Sequence, residues 1–390
     1  MLMSLALIFL LGIMLGGLFS KLKLPSLLGM LLTGMILGPY ALNILDESLL
    51  GISADLRQLA LVIILTRAGL ALNIHDLKKV GRPAFLMCFV PALFEIVAIV
   101  SIAPILLGVS LVEAAILGTV VAAVSPAVIV PRMLKLIEGN YGKEKSIPQL
   151  IMAGASVDDI FVIVLFTAFT GLASGGTFSA STLIQIPISI GLGILLGIIV
   201  GYVMSQCFKR IKLRDSVKVV ILLSISFLMI ALEHYLEGSV PVSGLLAIMS
   251  MSATLLQTYE VLAKRLSIKF SKLWVAAEVL LFVLVGATVD IGYALSAGGV
   301  ALVVILVGLV FRMGGVWVSL LRTPLNKKER IFCMIAYSPK ATVQAAIGSI
   351  PLAMGLECGP IVLTVAVVAI LFTAPVGALG IDLTYTKLLK

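Results

Sequence analysis

Long apolar runs alternate with short polar connections along all 390 residues of the chain. These runs are about 20 residues long, the length that an α-helix needs to cross a hydrocarbon core of about 30 Å. They are too long for barrel strands, and in lipid a helix satisfies every backbone polar group within one segment. We therefore predict about thirteen transmembrane helices, over residues 2–20, 25–44, 56–74, 83–107, 111–134, 148–173, 182–207, 217–236, 239–257, 273–290, 296–320, 330–353 and 359–382.

Composition supports the same class of protein. Hydrophobic residues make up 61% of the chain and charged residues 12%, with a mean hydropathy of +1.21. A soluble domain carries about 25% charged residues, so lipid must solvate most of this surface. No polar stretch is long enough for a separate soluble domain. The four cysteines lie in or beside apolar runs without metal-ligand spacing, and we interpret them as small apolar residues.

The formal net charge of +9 could indicate a nucleic-acid partner, but the distribution of the basic residues argues otherwise. Of the 28 lysines and arginines, four lie within or at the edge of predicted helices, and 24 fall in every second connection: Lys21, Lys23; Lys78, Lys79, Arg82; Arg132, Lys135, Lys143, Lys145; Lys209, Arg210, Lys212, Arg214, Lys218; Lys264, Arg265, Lys269, Lys272; Arg322, Lys327, Lys328, Arg330; Lys387, Lys390. The positive-inside rule then predicts an external N-terminus and a cytoplasmic C-terminus. Binding of anionic lipid head groups is an alternative use of these residues, and no nucleic-acid partner is expected.

Thirteen helices divide into two six-helix repeats joined by a linker helix, and the linker gives the repeats opposite orientations. Ala123–Pro131 in the fifth predicted helix and Ser338–Thr342 in the twelfth both place proline near the middle of a span. Proline removes a backbone hydrogen bond and clashes with the preceding turn. Two matching breaks in inverted repeats indicate a transport site at the bilayer midplane, although simple kinks are the alternative.

Several charged residues lie where lipid should exclude them: Glu95, Asp158, Asp159, Arg67, Arg312 and Lys340. Each costs about 2.5–3.5 kcal/mol at the bilayer centre unless it has a partner or an aqueous cavity. Asp158 and Asp159 point about 100° apart on a helix, so one can face a cavity while the other reaches a neighbouring helix. Such a carboxylate can bind a proton or a small cation in competition. Packing ion pairs are the alternative for Glu95, Arg312 and Arg67.

Three motifs carry a family resemblance. Gly154–Ile160 resembles the paired-aspartate helix of sodium/proton antiporters in the cation:proton antiporter superfamily. Ala123–Pro131 and Pro339–Gly348 are similar to the two crossing broken helices of its NHA branch, and Thr66–Leu70 also fits that branch. The resemblance extends from about residue 25 to about residue 380.

The resemblance implies a secondary-active antiporter of the plasma membrane that exchanges Na⁺ or Li⁺ for protons and serves pH homeostasis. It implies neither an enzyme nor a cofactor. The expected assembly is a homodimer in which a core domain of each protomer moves like an elevator against a dimerisation domain. The implied boundaries are 1–80 and 216–291 for dimerisation, 81–175 and 292–390 for the core, and 176–215 for the linker helix.

The resemblance also assigns roles to single residues. Asp159 is the expected proton and metal-ion (Na⁺ or Li⁺) carboxylate with Asp158 as its helper, and Ser125 and Thr342 contribute from the broken helices. The supporting charges are Lys340, Glu95 and Arg312, and Arg67 is a structural charge. Arg312 lies where electrogenic relatives have lysine. Because arginine keeps its proton, a second proton carrier at that position is excluded, and Lys340 could replace it. We expect Arg312 to pair with Glu95.

Other functions fit the residues less well. A proton- or sodium-coupled carrier of K⁺ or of an organic anion could use Arg312 and Lys340 on the same architecture, but adjacent aspartates argue against an anionic substrate. An intramembrane aspartyl protease needs its two acids on separate helices, whereas Asp158 and Asp159 share one. A channel does not need paired helix breaks. The sequence contains no nucleotide-binding motif, which disfavours an ATP-driven pump.

Overall fold

The computed structural model describes residues 1–71, 81–142, 144–174, 180–236 and 242–389, and within them the only regular secondary structure is helical. The first helices are α1 (Leu2–Lys21), α2 (Ser26–Leu37), α3 (Glu47–Gly51), α4 (Ser53–Ala71), α5 (Arg82–Met87) and α6 (Val90–Leu107). The next are α7 (Leu111–Ala122), α8 (Pro126–Glu138), α9 (Ile147–Ser174), α10 (Ala180–Arg210), α11 (Asp215–Leu236) and α12 (Gly244–Thr258). The last are α13 (Glu260–Ala287), α14 (Ile291–Ser319), α15 (Lys327–Ala336), α16 (Thr342–Ile347), α17 (Ile350–Ala353) and α18 (Gly359–Leu388).

Within the described residues, nine helical stretches are long and apolar enough to cross a membrane. They correspond to nine of the predicted spans. The other four correspond to α2 and α12, which are shorter, to α4, which carries Asp55, Arg57 and Arg67, and to the interrupted stretch from α15 to α17. The all-helical class is confirmed, and the number thirteen stays a prediction.

Local sequence explains where several helices begin and end. Ser110 and Glu113 form a reciprocal capping box at the start of α7. Gly108 ends α6 in the left-handed conformation with φ 68°, which glycine adopts without steric cost. Pro126 is the first residue of α8, where its missing N–H is not needed. The helix break in this repeat is therefore specified locally.

The largest error in a predicted boundary is at the start of the tenth span, predicted at residue 273 and observed at Glu260. The sequence predicts a connection at the basic residues Lys264, Arg265, Lys269 and Lys272, but they lie on α13, which begins at Glu260. Lysine and arginine are good helix formers, so a helix continues past its apolar stretch when water surrounds the charged turns. The Arg265 guanidinium there contacts the Asp215 carboxylate at 2.9 Å and 3.3 Å.

The described residues fall into two compact units. The first, called here the site unit, comprises residues 1–54, 73–173 and 279–390 so far as they are described, and the second comprises 55–72 and 174–278. In the site unit α6 packs along α14, and α18 packs against α14 and α15. In the second unit α10 packs along α12. The predicted division into core, linker and dimerisation segments stays a prediction.

Glycines allow the closest helix contacts. A Cβ atom at Gly197 of α10 would lie 2.3 Å from the Ala247 carbonyl oxygen of α12. In the site unit, a Cβ at Gly315 of α14 would lie 2.7 Å from Pro91 Cα of α6, and one at Gly308 would lie 3.3 Å from Glu95. Small residues let backbones approach this closely in membrane proteins. The α6–α14 contact thereby places Glu95 beside α14, which carries Arg312.

Candidate functional site

The two helix breaks meet in the site unit. Residues 123–125 separate α7 from α8, and residues 337–341 separate α15 from α16. The Ser125 N–H donates to the Pro339 carbonyl oxygen at 2.8 Å, and the Ser125 and Thr342 hydroxyl oxygens are 3.4 Å apart. Both hydroxyl side chains are buried. The non-helical segments of the two repeats therefore cross at Ser125, as the resemblance implied.

The paired aspartates of α9 lie in different environments. Asp158 is fully buried, and its Oδ2 accepts from the Val124 N–H at 2.9 Å and from Arg312 Nη2 at 2.7 Å. Asp159 is half-buried, and its buried Oδ1 has no hydrogen-bond partner among the described residues. The other carboxylate oxygen of Asp158, Oδ1, is also buried without a partner among those residues. Two carboxylate oxygens are thus available to a proton or a cation.

Arg312 joins the separate parts of the site. Besides Asp158, its guanidinium contacts Glu95 Oε2 at 3.1 Å, the Tyr337 carbonyl oxygen at 2.8 Å and the Ala122 carbonyl oxygen. Its Cζ also lies 5.1 Å from the centroid of the Tyr337 ring. The Tyr337 hydroxyl donates in turn to the Met87 carbonyl oxygen at 2.9 Å. A buried guanidinium with this many hydrogen-bond acceptors is held in a fixed position.

Lys340 forms a second buried ion pair. Its Nζ lies 2.7 Å from Oε1 and 2.8 Å from Oε2 of Glu95, and both side chains are fully buried. The Lys340 N–H donates to Thr373 Oγ1 of α18 at 2.9 Å. The sequence left open whether Lys340 neutralises a helix end or binds an anion. In the structure it contacts Glu95, while Arg312 and Gln344 contact the carbonyl end of α7.

The site carries three carboxylates and two basic side chains. Glu95 contacts both Arg312 and Lys340, and Asp158 contacts Arg312. Asp159 has no ion pair among the described residues. If every group is ionised, the cluster carries one negative charge in excess, and Asp159 is the residue without a counter-charge. A low-dielectric site with one excess negative charge favours binding of one proton or one monovalent cation.

The structure brings together all but one of the predicted site residues. The Glu95–Arg312 pair forms as expected. Arg67 belongs to the second unit, where Glu278 of α13 is its electrostatic partner. Sequence reasoning overlooked Glu278, although it is an acid within an apolar run. It also missed Gln344, whose amide inside an apolar segment was the available signal.

A helical membrane protein in which two broken helices cross beside paired carboxylates belongs to the class of ion-coupled secondary transporters. More particularly, the chain belongs to the sodium/hydrogen exchanger family, because residues 5–386 match the family described as "Sodium/hydrogen exchanger, transmembrane". This confirms the predicted superfamily of antiporters. The family is one of transporters that are integral to the membrane.

Relatives and solved structures agree. The chain is 34% identical to sodium/hydrogen exchanger 9B2 of Xenopus tropicalis over 400 residues, which cover 96% of this chain and 72% of the relative. It is 32% identical to human sodium/hydrogen exchanger 9B1 over 382 residues, covering 94% and 73%. The structure of the sodium proton antiporter MjNhaP1 from Methanocaldococcus jannaschii at pH 8 superposes with a TM-score of 0.85 at 21% identity, covering 100% and 99%. That likeness confirms the fold.

Proposed function

We propose that this chain exchanges Na⁺ or Li⁺ for protons, with Asp159 as the carboxylate for which both ions compete. One observation carries the proposal: Asp159 has no ion pair among the described residues, whereas the neighbouring Asp158 is paired with Arg312 through Oδ2. Family membership and the names of the relatives support the exchange of sodium for protons.

Asp158 acts as the helper of Asp159. Arg312 and the Val124 N–H hold its Oδ2, while its Oδ1 faces no donor among the described residues. A desolvated Na⁺ or Li⁺ prefers oxygen ligands, as other hard cations do. The carboxylates of Asp158 and Asp159 supply such oxygens, and the hydroxyls of Ser125 and Thr342 supply two more at the crossing. When Asp159 is protonated, the cation loses its principal ligand, and the two ions exclude each other.

The same contacts disfavour the alternative of an organic anion substrate. Arg312 and Lys340 are the basic side chains at the crossing, and both form ion pairs with carboxylates of the site. Binding an anion would require breaking one of these buried pairs, which costs about 3–5 kcal/mol. Transport of K⁺ instead of Na⁺ or Li⁺ remains the alternative that the experiment below separates.

The mode of transport is part of the proposal. Ser125, Asp158, Arg312, Lys340 and Thr373 all fall within residues 81–175 and 292–390, and their mutual contacts support movement of that core as one body. We propose that this core moves like an elevator within a homodimer in the plasma membrane. The alternation of basic connections supports an external N-terminus and a cytoplasmic C-terminus.

Proteoliposomes with an imposed inside-acid pH gradient and a pH-sensitive dye test the function. Addition of Na⁺ or Li⁺ should dissipate the gradient in the wild type, and Asp159→Asn should abolish the response because an amide binds neither a proton nor a cation in this way. Asp382→Asn is the matched control, since Asp382 lies on α18 of the same unit with a partly exposed side chain.

Each other outcome has a distinct meaning. Equal responses of the wild type and Asp159→Asn would refute the site assignment. A response to K⁺ alone would favour the alternative substrate. If no monovalent cation dissipates the gradient, antiport itself is refuted.

A further inference from the structure

A buried amide bridges the two broken helices. Gln344 lies in the first turn of α16 with 1% of its surface exposed. Its Nε2 donates across the crossing to the carbonyl oxygens of Val120 at 3.1 Å, Val121 at 3.2 Å and Ala123 at 2.9 Å. The resemblance gave this residue no role, and it is not one of the ion ligands proposed above.

Two of these carbonyls, those of Val120 and Val121, need a donor because their usual helical partners donate elsewhere. In an unbroken helix the Val120 and Val121 carbonyls would accept from the N–H groups of residues 124 and 125. The Val124 N–H donates to Asp158 instead, and the Ser125 N–H donates to Pro339. Each of these contacts builds the proposed ion site, and each leaves a buried carbonyl without its helical donor.

Gln344 supplies the missing donors. Its amide donates to the carbonyl oxygens of Val120 and Val121, whose helical N–H partners donate elsewhere. Arg312 donates to the carbonyl oxygen of Ala122, the next residue along the chain. Buried carbonyls without donors are costly, so removing the amide would favour return of the Val124 and Ser125 N–H groups to the helix. Asp158 would then lose its backbone donor, and Pro339 would lose its contact with Ser125.

We propose that Gln344 is a positioning residue for ion exchange: its amide replaces the two diverted N–H groups at the end of α7 and so keeps Asp158 and the crossing in place. The inference rests on the proposed function. This role requires the N–H donors of the Gln344 amide and not only the volume of its side chain. A side chain that merely filled the space would need no donor.

Two substitutions test it. Gln344→Met keeps the length of the side chain and removes its donors, so we expect a maximal exchange rate at least about tenfold lower, as misplaced catalytic groups show. Gln344→Glu donates one hydrogen bond when protonated and repels the carbonyls when ionised. Its rate relative to wild type should therefore fall as pH rises, whereas the ratio for Gln344→Met should stay flat.

The matched control is Gln149→Met, which makes the same change near the start of α9, nine residues before Asp158. A readout independent of transport is hydrogen exchange of the Val124 and Ser125 amides in the reconstituted protein, measured by mass spectrometry. In Gln344→Met we expect the rates of these amides to change from wild type, while the control leaves them unaltered.

Wild-type transport together with unaltered amide exchange in Gln344→Met would overturn the inference and leave the proposed function intact. Absence of sodium- or lithium-driven exchange in the wild type would instead refute the function, and the amide rates would still decide the role of Gln344. If Gln344→Met does not fold, the pH dependence of Gln344→Glu decides: a ratio to wild type that does not fall with pH contradicts the proposal.

Discussion

Gly154 lies one turn before Asp158 on α9, where the helix packs against Tyr337. The ring and the carbonyl oxygen of Tyr337 both contact Arg312. A Cβ atom at this position would lie 2.6 Å from the Tyr337 hydroxyl oxygen and 2.9 Å from Met87 Cβ. Real Cβ atoms essentially never approach other heavy atoms closer than 3.0 Å. Tyr337 is fully buried, so its ring has no solvent-facing space into which it could turn. Gly154→Ala should therefore destabilise the protein.

The magnitude follows from three contributions. Overpacking a buried site costs about 1–3 kcal/mol. Displacing the Tyr337 hydroxyl from the Met87 carbonyl oxygen, 2.9 Å away, costs about 1 kcal/mol more. Alanine offsets about 1 kcal/mol because it is the better helix former. The net loss is about 1–3 kcal/mol, which at roughly 2 °C per kcal/mol lowers the midpoint of thermal unfolding by about 2–6 °C.

A double-mutant cycle isolates the contact with the hydroxyl. Tyr337→Phe alone should cost about 1 kcal/mol, because the buried Met87 carbonyl loses its donor. In the Gly154→Ala background the same change removes the nearest clashing atom, so it should cost nothing or stabilise. The assay is the thermal midpoint of the purified protein in detergent for the wild type, both single variants and the double variant. Additive midpoint shifts would refute the reasoning.

Gly171→Ala is the matched control for this cycle. Gly171 lies on the same helix, and a Cβ there would meet no atom within 4 Å. Its midpoint should stay at or slightly above that of the wild type. Since the Tyr337 carbonyl accepts from Arg312, Gly154→Ala should also slow exchange, and Gly171→Ala should not.

Two further predictions concern the buried ion pair and the glycine contact. Glu95→Gln should destabilise the protein by about 3–5 kcal/mol, because it leaves the Lys340 ammonium buried without a carboxylate. Adding Lys340→Met should recover folded protein, measured by size-exclusion chromatography. Equal yields of the single and double variants would contradict the pair. Gly197→Ala places a Cβ 2.3 Å from the Ala247 carbonyl oxygen, so its thermal midpoint should fall below that of Gly191→Ala, where nothing lies within 4 Å; equal midpoints would contradict the close contact.

Much of the fold could be predicted from the sequence because its causes are local. An apolar run of about 20 residues forms a helix in lipid whatever its neighbours are. Pro126 and Pro339 mark the two breaks because proline disrupts its own helix turn. The sequence was less informative where helices are short or charged, as in α2, α4 and α12, and it misplaced the start of α13. The length of these helices depends on the helices packed against them or on the water around them, which no local pattern shows.

The sequence by itself determined a polytopic helical membrane protein with broken helices and a small set of buried charges. The family resemblance gave Asp158 and Asp159 different roles, but only the tertiary structure shows a physical difference between these adjacent carboxylates: Asp158 pairs with Arg312, 154 positions away, and Asp159 has no ion pair among the described residues. It likewise assigned Gln344 to carbonyls 221–224 positions away and Lys340 to Glu95. Helix periodicity and proline act within a turn, whereas an ion pair depends on which distant helices pack together, and no local pattern records that choice.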